Sequence, residues 1–217
     1  MKEAISNKVK AHTRYKLKDG TIVPGVTTIV NLLDKPQLKL WANRIGLQGI
    51  EMSKYVDDKA EQGTLAHEMI LCHLKNEKID TSDHSKNVID AAENSFLSYL
   101  EWEKPRKIEP IYLEHEVISE LYKFGGKFDF FGKIDGILTI MDFKTGKGIY
   151  PEFFFQLAGY GIGLKEEGKY IPEKYAILNI PRDESESFKV EEKSNMDIQR
   201  KIFVNLASIY HLKKELK

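Results

Sequence analysis

Asp129, Asp142 and Lys144 carry side chains suited to holding a hard cation and an anionic group. They fall within one short stretch, GGKFDFFGKIDGILTIMDFKTGK, residues 125–147. Two apolar runs there flank Asp135-Gly136, a dipeptide that predicts a two-residue hairpin turn. With those two residues as the loop, Asp129 lies directly opposite Asp142, and Lys127 lies opposite Lys144. Side chains alternate faces along a strand, so these four share one face. The other face carries Phe128, Phe130, Ile134, Ile137, Met141 and Phe143 and reads as core.

Carboxylates placed directly opposite have β-carbons about 4.5–5.5 Å apart, and like charges there destabilise a sheet. A shared proton or a divalent cation would offset the repulsion, and oxygen ligands on a rigid face suit Mg²⁺ or Mn²⁺. Lys144 points to the same side and could reach a phosphate or an attacking water. The alternative is a solvated charged face on which Lys127 and Lys144 simply neutralise the aspartates. The hairpin by itself leaves both open, because structural ion networks perturb charges as functional sites do.

The elements that must position these residues follow from pattern. The N-terminus is basic (Lys2, Lys8, Lys10, Arg14, Lys16, Lys18), and residues 12–17 and 21–24 predict a hairpin around Asp19-Gly20. Thr27 or Thr28 is the expected cap of a helix over 28–33, whose free amides could hold a phosphate, although capping alone also explains the threonines. Pro36 opens a helical segment in which Trp41 is expected in the core, the alternative being a base-stacking platform. A longer helix over 57–77 contains Gly63 and His67; a glycine there costs roughly 1 kcal/mol against alanine, which points to a close approach. His67-Glu68 is not a zinc-protease motif, because the next histidine is His73 and the motif needs a spacing of four. By itself His67 reads as a packed or surface histidine. A helix over 85–103 presents Val88, Ala92, Phe96, Tyr99 and Leu100, and a strand over 110–119 leads into the central hairpin.

Beyond the hairpin, Pro151 opens a helix over 151–166, on which Gln156 and Tyr160 share a face. Gly159, Gly161 and Gly163 weaken that helix and predict tight packing on the sheet. A strand over 173–180 is expected to run parallel to a hairpin strand through this helix. Residues 186–192 read as a charged edge strand. A last amphipathic helix over 195–216 is expected to turn Ile198, Ile202, Leu206, Ile209 and Leu212 inward. No phosphate-binding loop is present, since Gly132-Lys133 lacks the upstream glycine spacing and the following Ser or Thr.

Composition narrows the classes. The chain has 217 residues with 41% hydrophobic content, enough for one domain with a substantial core. Basic and acidic residues both number 33, so any polyanion must be held by local patches. The single cysteine, Cys72, excludes an intrachain disulfide framework and a four-cysteine zinc or iron–sulfur site. There is no signal-peptide pattern and no apolar run long enough to span a membrane, so the expectation is a soluble cytoplasmic protein.

Taken in order, these residues form G-x-x-x-H on a helix (Gly63 to His67), an acid on a strand, G-G-x-x-D (Gly125 to Asp129), D-x-K (Asp142 to Lys144) and Q-x-x-x-Y (Gln156 to Tyr160). The order and spacing resemble the PD-(D/E)xK nuclease superfamily, and within it the RecB-like branch with its phage-type exonucleases. The resemblance covers roughly residues 63–160, and the opening HTRYKLKDGTIVPGVTTIV is similar to the N-terminal segment of phage-type members. Gly25 stands where such proteins often carry serine, which removes any hydroxyl contact there. The cysteine cluster of the iron–sulfur members is missing, which excludes that subgroup.

The resemblance implies an α/β fold with a restriction-endonuclease-like core, a central mixed β-sheet flanked by helices, plus an N-terminal helical portion. The whole chain, 1–217, would be one nuclease domain. Residues 1–105 would supply the N-terminal hairpin and a helical wall carrying His67, and 106–217 the catalytic core. Asp129 and Asp142 would ligate Mg²⁺ or Mn²⁺, with His67 and the Phe143 carbonyl completing the shell. Glu114, in E-x-x-V-x-S, matches the acid of the preceding strand, with Glu116 close by. Lys144 would orient water and stabilise charge on the scissile phosphate, and Gln156 and Tyr160 would position the strand or the lysine. Arg14, Lys16, Thr27, Thr28, Lys127 and Lys147 are the candidate DNA contacts. The implied activity is exonucleolytic cleavage of DNA, single-stranded or at duplex ends, in recombination, repair or phage DNA processing. The source would be bacterial or phage, with a recombinase, helicase or single-strand-binding protein as the class of partner. The alternatives are an endonuclease on flapped or branched DNA, and a catalytically silent DNA-binding module.

Overall fold

The computed structural model describes residues 14–216. Lys2, Lys8 and Lys10, and the start of the strand expected at residue 12, lie outside the described residues. A small hairpin of β1 (Tyr15–Lys16) and β2 (Ile22–Val23) comes first, with Gly20 at φ 86° in its turn. The helices α1 (Val26–Val30), α2 (Pro36–Leu47), α3 (Met52–Lys75) and α4 (Lys86–Glu103) follow. The rest of the chain is β3 (Ile108–Ser119), β4 (Phe124–Ile134), β5 (Ile137–Thr145), α5 (Pro151–Glu166), β6 (Lys174–Ile180), β7 (Lys189–Lys193) and α6 (Asp197–Glu215).

The five long strands form one mixed sheet in the order β3-β4-β5-β6-β7. β5 and β6 are parallel and joined through α5; the other neighbours are antiparallel. This is an α/β fold with a central mixed sheet flanked by helices. The expected hairpin register is the observed one: Asp135 and Gly136 take positive φ, and the ladder runs from Ile134↔Ile137 to Phe130↔Met141. The sheet is buried on both faces, contrary to the expectation of one charged face and one core face. Phe130, Ile134, Met141 and Phe143 pack with Tyr99 and Trp102 of α4 and Ile70 of α3. Phe128, Phe131 and Ile140 pack on the opposite side with α1, α5 and α6. Ile137, beside the turn, is exposed rather than core.

Several expectations shift. Thr27 and Thr28 do not cap α1: Gly25 is its N-cap without a side-chain cap, and both threonines are exposed inside the helix. α3 begins at Met52 rather than near residue 57; its first turns bury no residue, the buried face starting only at Gln62. Trp41 is half-exposed on α2, which buries no residue, and its ring meets Tyr55 at 5.9 Å. α6 is rotated from the expected face. Phe203, Leu206 and Ala207 are buried, while Ile198, Ile209 and Leu212 are exposed. The cause is a notch at Gly159, where an added Cβ would lie 2.7 Å from Phe203: the aromatic ring seats on the glycine and sets the rotation.

The glycines of α5 work as the pattern predicts. A Cβ at Gly161 would meet Tyr175 of β6 at 2.6 Å, and one at Gly163 would meet Val117 of β3 at 2.7 Å. α5 can therefore lie directly on the strands that frame the hairpin. No helix among the described residues is long and apolar enough to cross a membrane.

Candidate active site

The sheet forks at the two aspartates. The β4–β5 ladder ends at Phe130↔Met141, one step short of Asp129 and Asp142. From there β4 stays paired with β3 as far as Ser119↔Phe124, while β5 stays paired with β6 as far as Thr145↔Ile180. The Phe143 N–H donates to Asp129 Oδ2 at 2.8 Å, so a side chain takes the place of the missing ladder bond. Lys127 is consequently not opposite Lys144. It pairs with Glu116 on β3, and its ammonium donates to Glu114 at 2.8 Å.

Two helices close on the fork. Gly63 lets α3 approach the end of β5, since an added Cβ there would stand 2.5 Å from Thr145 Oγ1. One turn later, on the same face, His67 places Nδ1 3.7 Å from Asp129 Oδ2 and its ring edge-on to Phe143. From the other side, α5 contributes a chain of contacts. The Lys144 ammonium donates to Gln156 Oε1 at 3.1 Å, and Gln156 Nε2 donates to the Tyr160 hydroxyl at 2.7 Å. An ammonium has only donors, so the Gln156 amide must present its oxygen to Lys144 and its nitrogen to Tyr160. Tyr160 lies across Gly126, where a Cβ would collide with its ring at 2.6 Å. Gly125 makes the same room for Tyr15 of β1, and its N–H donates to the Pro24 carbonyl at 3.0 Å. The two glycines of G-G-x-x-D are thus the places where aromatic rings lie against β4.

Asp142 is the most perturbed group here. It is only 4% exposed, and its Oδ2, in ion-pair contact with Lys144, accepts no well-directed hydrogen bond. Burial pushes its carboxyl from the ordinary 3.8 up to about 6; Lys144 opposes the rise and the nearby Asp129 charge adds to it. Burial likewise raises the Tyr160 hydroxyl, reinforced by Asp142, so Tyr160 stays a neutral donor and acceptor at physiological pH. Together the fork holds two carboxylates, an imidazole and a fixed ammonium. Among the described residues, no three His, Cys, Asp or Glu side chains converge closely enough to form a ready-made metal cage. The buried Asp142 oxygen, held only by the Lys144 ammonium, and the oxygen-rich donors still suit a hard divalent ion.

The other candidates lie around this centre. Glu114 sits in a left-handed conformation (φ 50°) where the β3–β4 register skips the pair Glu114/Asp129. Its carboxylate bridges Lys127 and, at 3.6 Å, Lys75, and the Lys127 hydrogen bond holds its pKa below the ordinary carboxylate value. Glu114 thus reaches the aspartates through Lys127, whose ammonium feels the Asp129 charge. Glu116 is exposed and acts on Tyr15. Lys147 is exposed on the loop leaving β5, and Arg14 and Lys16 are exposed at β1.

Three contributors had no sequence motif. Asn179 is fully buried on β6 and donates to the carbonyls of Gly146 and Ser187, tying down the loop after Lys144. A lone amide in the apolar run YAILNI was the available signal. Arg182 and Glu186 form an almost buried ion pair, and Arg182 also donates to the Lys59 carbonyl of α3, which anchors the β6–β7 connection. Phe153 of α5 lies under the Lys144 ammonium, 5.1 Å from ring centre to nitrogen. Two surface hollows of about 500 and 710 Å³ lie between the β3–β4 turn and α6, and none of the candidate residues lines them.

No protein-family model matches the chain, and no curated protein matches it in sequence. Solved structures do match in fold. One is named "Putative exonuclease" from Eubacterium rectale, with TM-score 0.50 and 13% identity over 70% of this chain and 65% of that one. Another is an alkaline exonuclease from Laribacter hongkongensis, with TM-score 0.40 and 10% identity over 69% of this chain and 78% of that one. The chain spans less than two thirds of the E. rectale protein. At this identity the likeness concerns the fold.

Proposed function

We propose that this chain is a metal-dependent DNA nuclease of the PD-(D/E)xK type, RecB-like branch, that hydrolyses phosphodiester bonds inward from a DNA end. The observation that carries the reading is the fork. A buried carboxylate without a well-directed hydrogen bond, a second carboxylate, an imidazole and an oriented ammonium meet where two strands separate. A solvated charged face would not bury Asp142. The fold shared with the E. rectale structure supports the same reading.

Asp129, Asp142 and His67, with the Phe143 carbonyl, would hold Mg²⁺ or Mn²⁺. When bound, the ion supplies Lewis acidity toward a phosphoryl oxygen and makes a coordinated water more acidic. The chain's own groups do the rest. Lys144, fixed by Gln156 and Phe153, presents positive charge where a scissile phosphate gains negative charge, and needs little reorganisation to do so. Tyr160 fixes Gln156 and so the lysine. Glu114 holds Lys127 beside Asp129. Lys127, Lys147, Arg14 and Lys16, with Thr27 and Thr28, are the proposed contacts to the DNA backbone. A bacterial or phage setting in recombination, repair or phage DNA processing, with a recombinase, helicase or single-strand-binding partner, belongs to this reading.

The test is cleavage of linear and covalently closed circular DNA with Mg²⁺ or Mn²⁺, with EDTA as control. Loss of linear DNA from its ends, an intact circle, and no cleavage in EDTA are expected. Cutting of the circle points to an endonuclease. DNA binding without cleavage under any of these metals points to a silent binding module.

A further inference from the structure

Beside the fork, α5 opens on an aromatic pair whose inner ring, Phe153, packs on the core and under Lys144, and whose outer ring, Tyr150, has neither role. Tyr150 is the N-cap residue of α5, yet its side chain makes no capping bond, and it is 50% exposed. Its ring meets Phe153 edge-on, with centroids 5.6 Å apart and planes at 84°. Phe153 in turn carries the Lys144 ammonium over its face at 5.1 Å. Two direct contacts therefore link the proposed catalytic lysine to an exposed tyrosine ring. The chain between them is open: an added Cβ at Gly146 or Gly148 would meet nothing within 4 Å. Lys147, between those glycines, is exposed. Glu152, in the first turn of α5, disfavours a phosphate at the helix terminus itself. The positive charge for a backbone here is that of Lys144, over the Phe153 ring, and of Lys147.

Resting on the nuclease reading, we propose that Tyr150, backed by Phe153, is a stacking platform for an unpaired nucleobase adjacent to the phosphate at Lys144. The site then takes single-stranded or frayed DNA in preference to closed duplex. The physics is selective because a base inside a duplex has both faces already stacked, whereas an unpaired base offers a free π-face to an aromatic ring. Stacking of this kind tolerates every base, so it adds grip that does not depend on net positive charge to a chain that has none.

The experiment uses the full chain with Mg²⁺ or Mn²⁺ and a labelled single strand in which one abasic residue is stepped along the sequence. The specificity constant kcat/KM is read for each substrate. The unsubstituted protein should lose about ten-fold, about 1.4 kcal/mol, when the abasic residue occupies one fixed offset from the cut bond. Tyr150→Ala should lose a similar factor on the intact strand and show no further loss with the abasic residue at that offset. Tyr150→Phe keeps the ring and should behave as the unsubstituted protein; Tyr150→Leu keeps bulk without a π-face and should behave as Tyr150→Ala. Circular dichroism confirms that each variant is folded. If the unsubstituted protein cuts but shows no offset-specific abasic penalty, the platform is wrong and the nuclease reading stands. The same holds if the two losses multiply in Tyr150→Ala, since independent effects mean the ring and the base do not touch. If no DNA is cut with either metal, the nuclease reading fails and the platform fails with it.

Discussion

Replacing Asp142 by asparagine should make the protein more stable in the absence of divalent ions, and the gain should depend on pH in a defined way. In the unfolded chain Asp142 titrates near 3.8; in the folded protein burial holds its proton up to about 6. Below about pH 3.8 both states are protonated and ionisation costs nothing. As pH rises from 3.8 to about 6, the unfolded chain releases the proton first, so stability falls across that window. The full penalty is present above it. The interval corresponds to about 3 kcal/mol, at 1.36 kcal/mol per pH unit. Asparagine has no proton to release, so this slope disappears. This figure is already net of the Lys144 ion pair, whose attraction is included in the folded value of about 6. For a chain of this size 1 kcal/mol shifts Tm by about 2–4 °C, so a rise of several degrees is expected at pH 7. The assay is thermal unfolding followed by far-ultraviolet circular dichroism, in EDTA, from pH 4 to 8, for both proteins. The difference between the two curves reports Asp142 together with the groups it interacts with in the fork, since the acids and histidines elsewhere are common to both. A difference that stays flat across pH 4–6, or a variant less stable than the parent at pH 7, would refute the claim that Asp142 is buried at an electrostatic cost.

Two further outcomes follow from the same geometry. Lys144→Ala should keep the circular dichroism spectrum but lower Tm, because buried Asp142 loses its ion-pair partner, and should lower cleavage by about 10²–10³-fold, the usual loss for a preorganised charge stabiliser; near-normal cleavage by the folded variant would remove Lys144 from the site. Arg14→Ala combined with Lys16→Ala should weaken DNA binding and flatten the log–log salt dependence by roughly 0.7 per lost contact on single strands. Anisotropy titrations between low and moderate salt measure it, and an unchanged slope would place the DNA path away from β1.

Much of this arrangement could be read from residue order because it depends on local rules. The Asp135-Gly136 turn fixes the hairpin register, and side-chain alternation puts Asp142 and Lys144 on one side. Helical spacing pairs Gln156 with Tyr160. The glycines of α5 and Gly63 announce close approaches that the contacts then show. What pattern misses is set by tertiary partners. The rotation of α6 comes from Phe203 seating on Gly159, a residue more than forty positions away. The start of α3 buries no residue: Met52 and Tyr55 are only half-buried, Tyr55 against Trp41 of α2 rather than the core, and Asp57-Asp58 imitates a helix start inside it. Trp41 looks like a core residue by type alone, but α2 rests against α3 without burying any side chain. The contacts of Phe153 with Lys144 and of Tyr150 with Phe153 are invisible until the loop after β5 brings the start of α5 beside Lys144.

The place of the candidate site follows from how the sheet is built. Asp142 opposite Asp129 in a continuous antiparallel ladder would set two carboxylates at one of the closest spacings a sheet offers. The chain relieves this by ending the β4–β5 ladder one residue earlier and continuing each strand with a different neighbour. The left-handed turn at Glu114 accompanies the change, and Phe128 joins the core on the α5 side while Phe130 joins the one on the α4 side. Separation leaves the Phe143 N–H without a strand partner, and Asp129 accepts from it. Two helices with glycine at the contact can then press into the opening, one carrying His67 and the other Gln156 and Tyr160. The repulsion that argues against two aspartates in a plain hairpin is thus the reason the sheet opens there. Filling the opening with positive charge, first from Lys144 and then from a divalent ion, relieves the same strain that burial of Asp142 leaves in the folded chain.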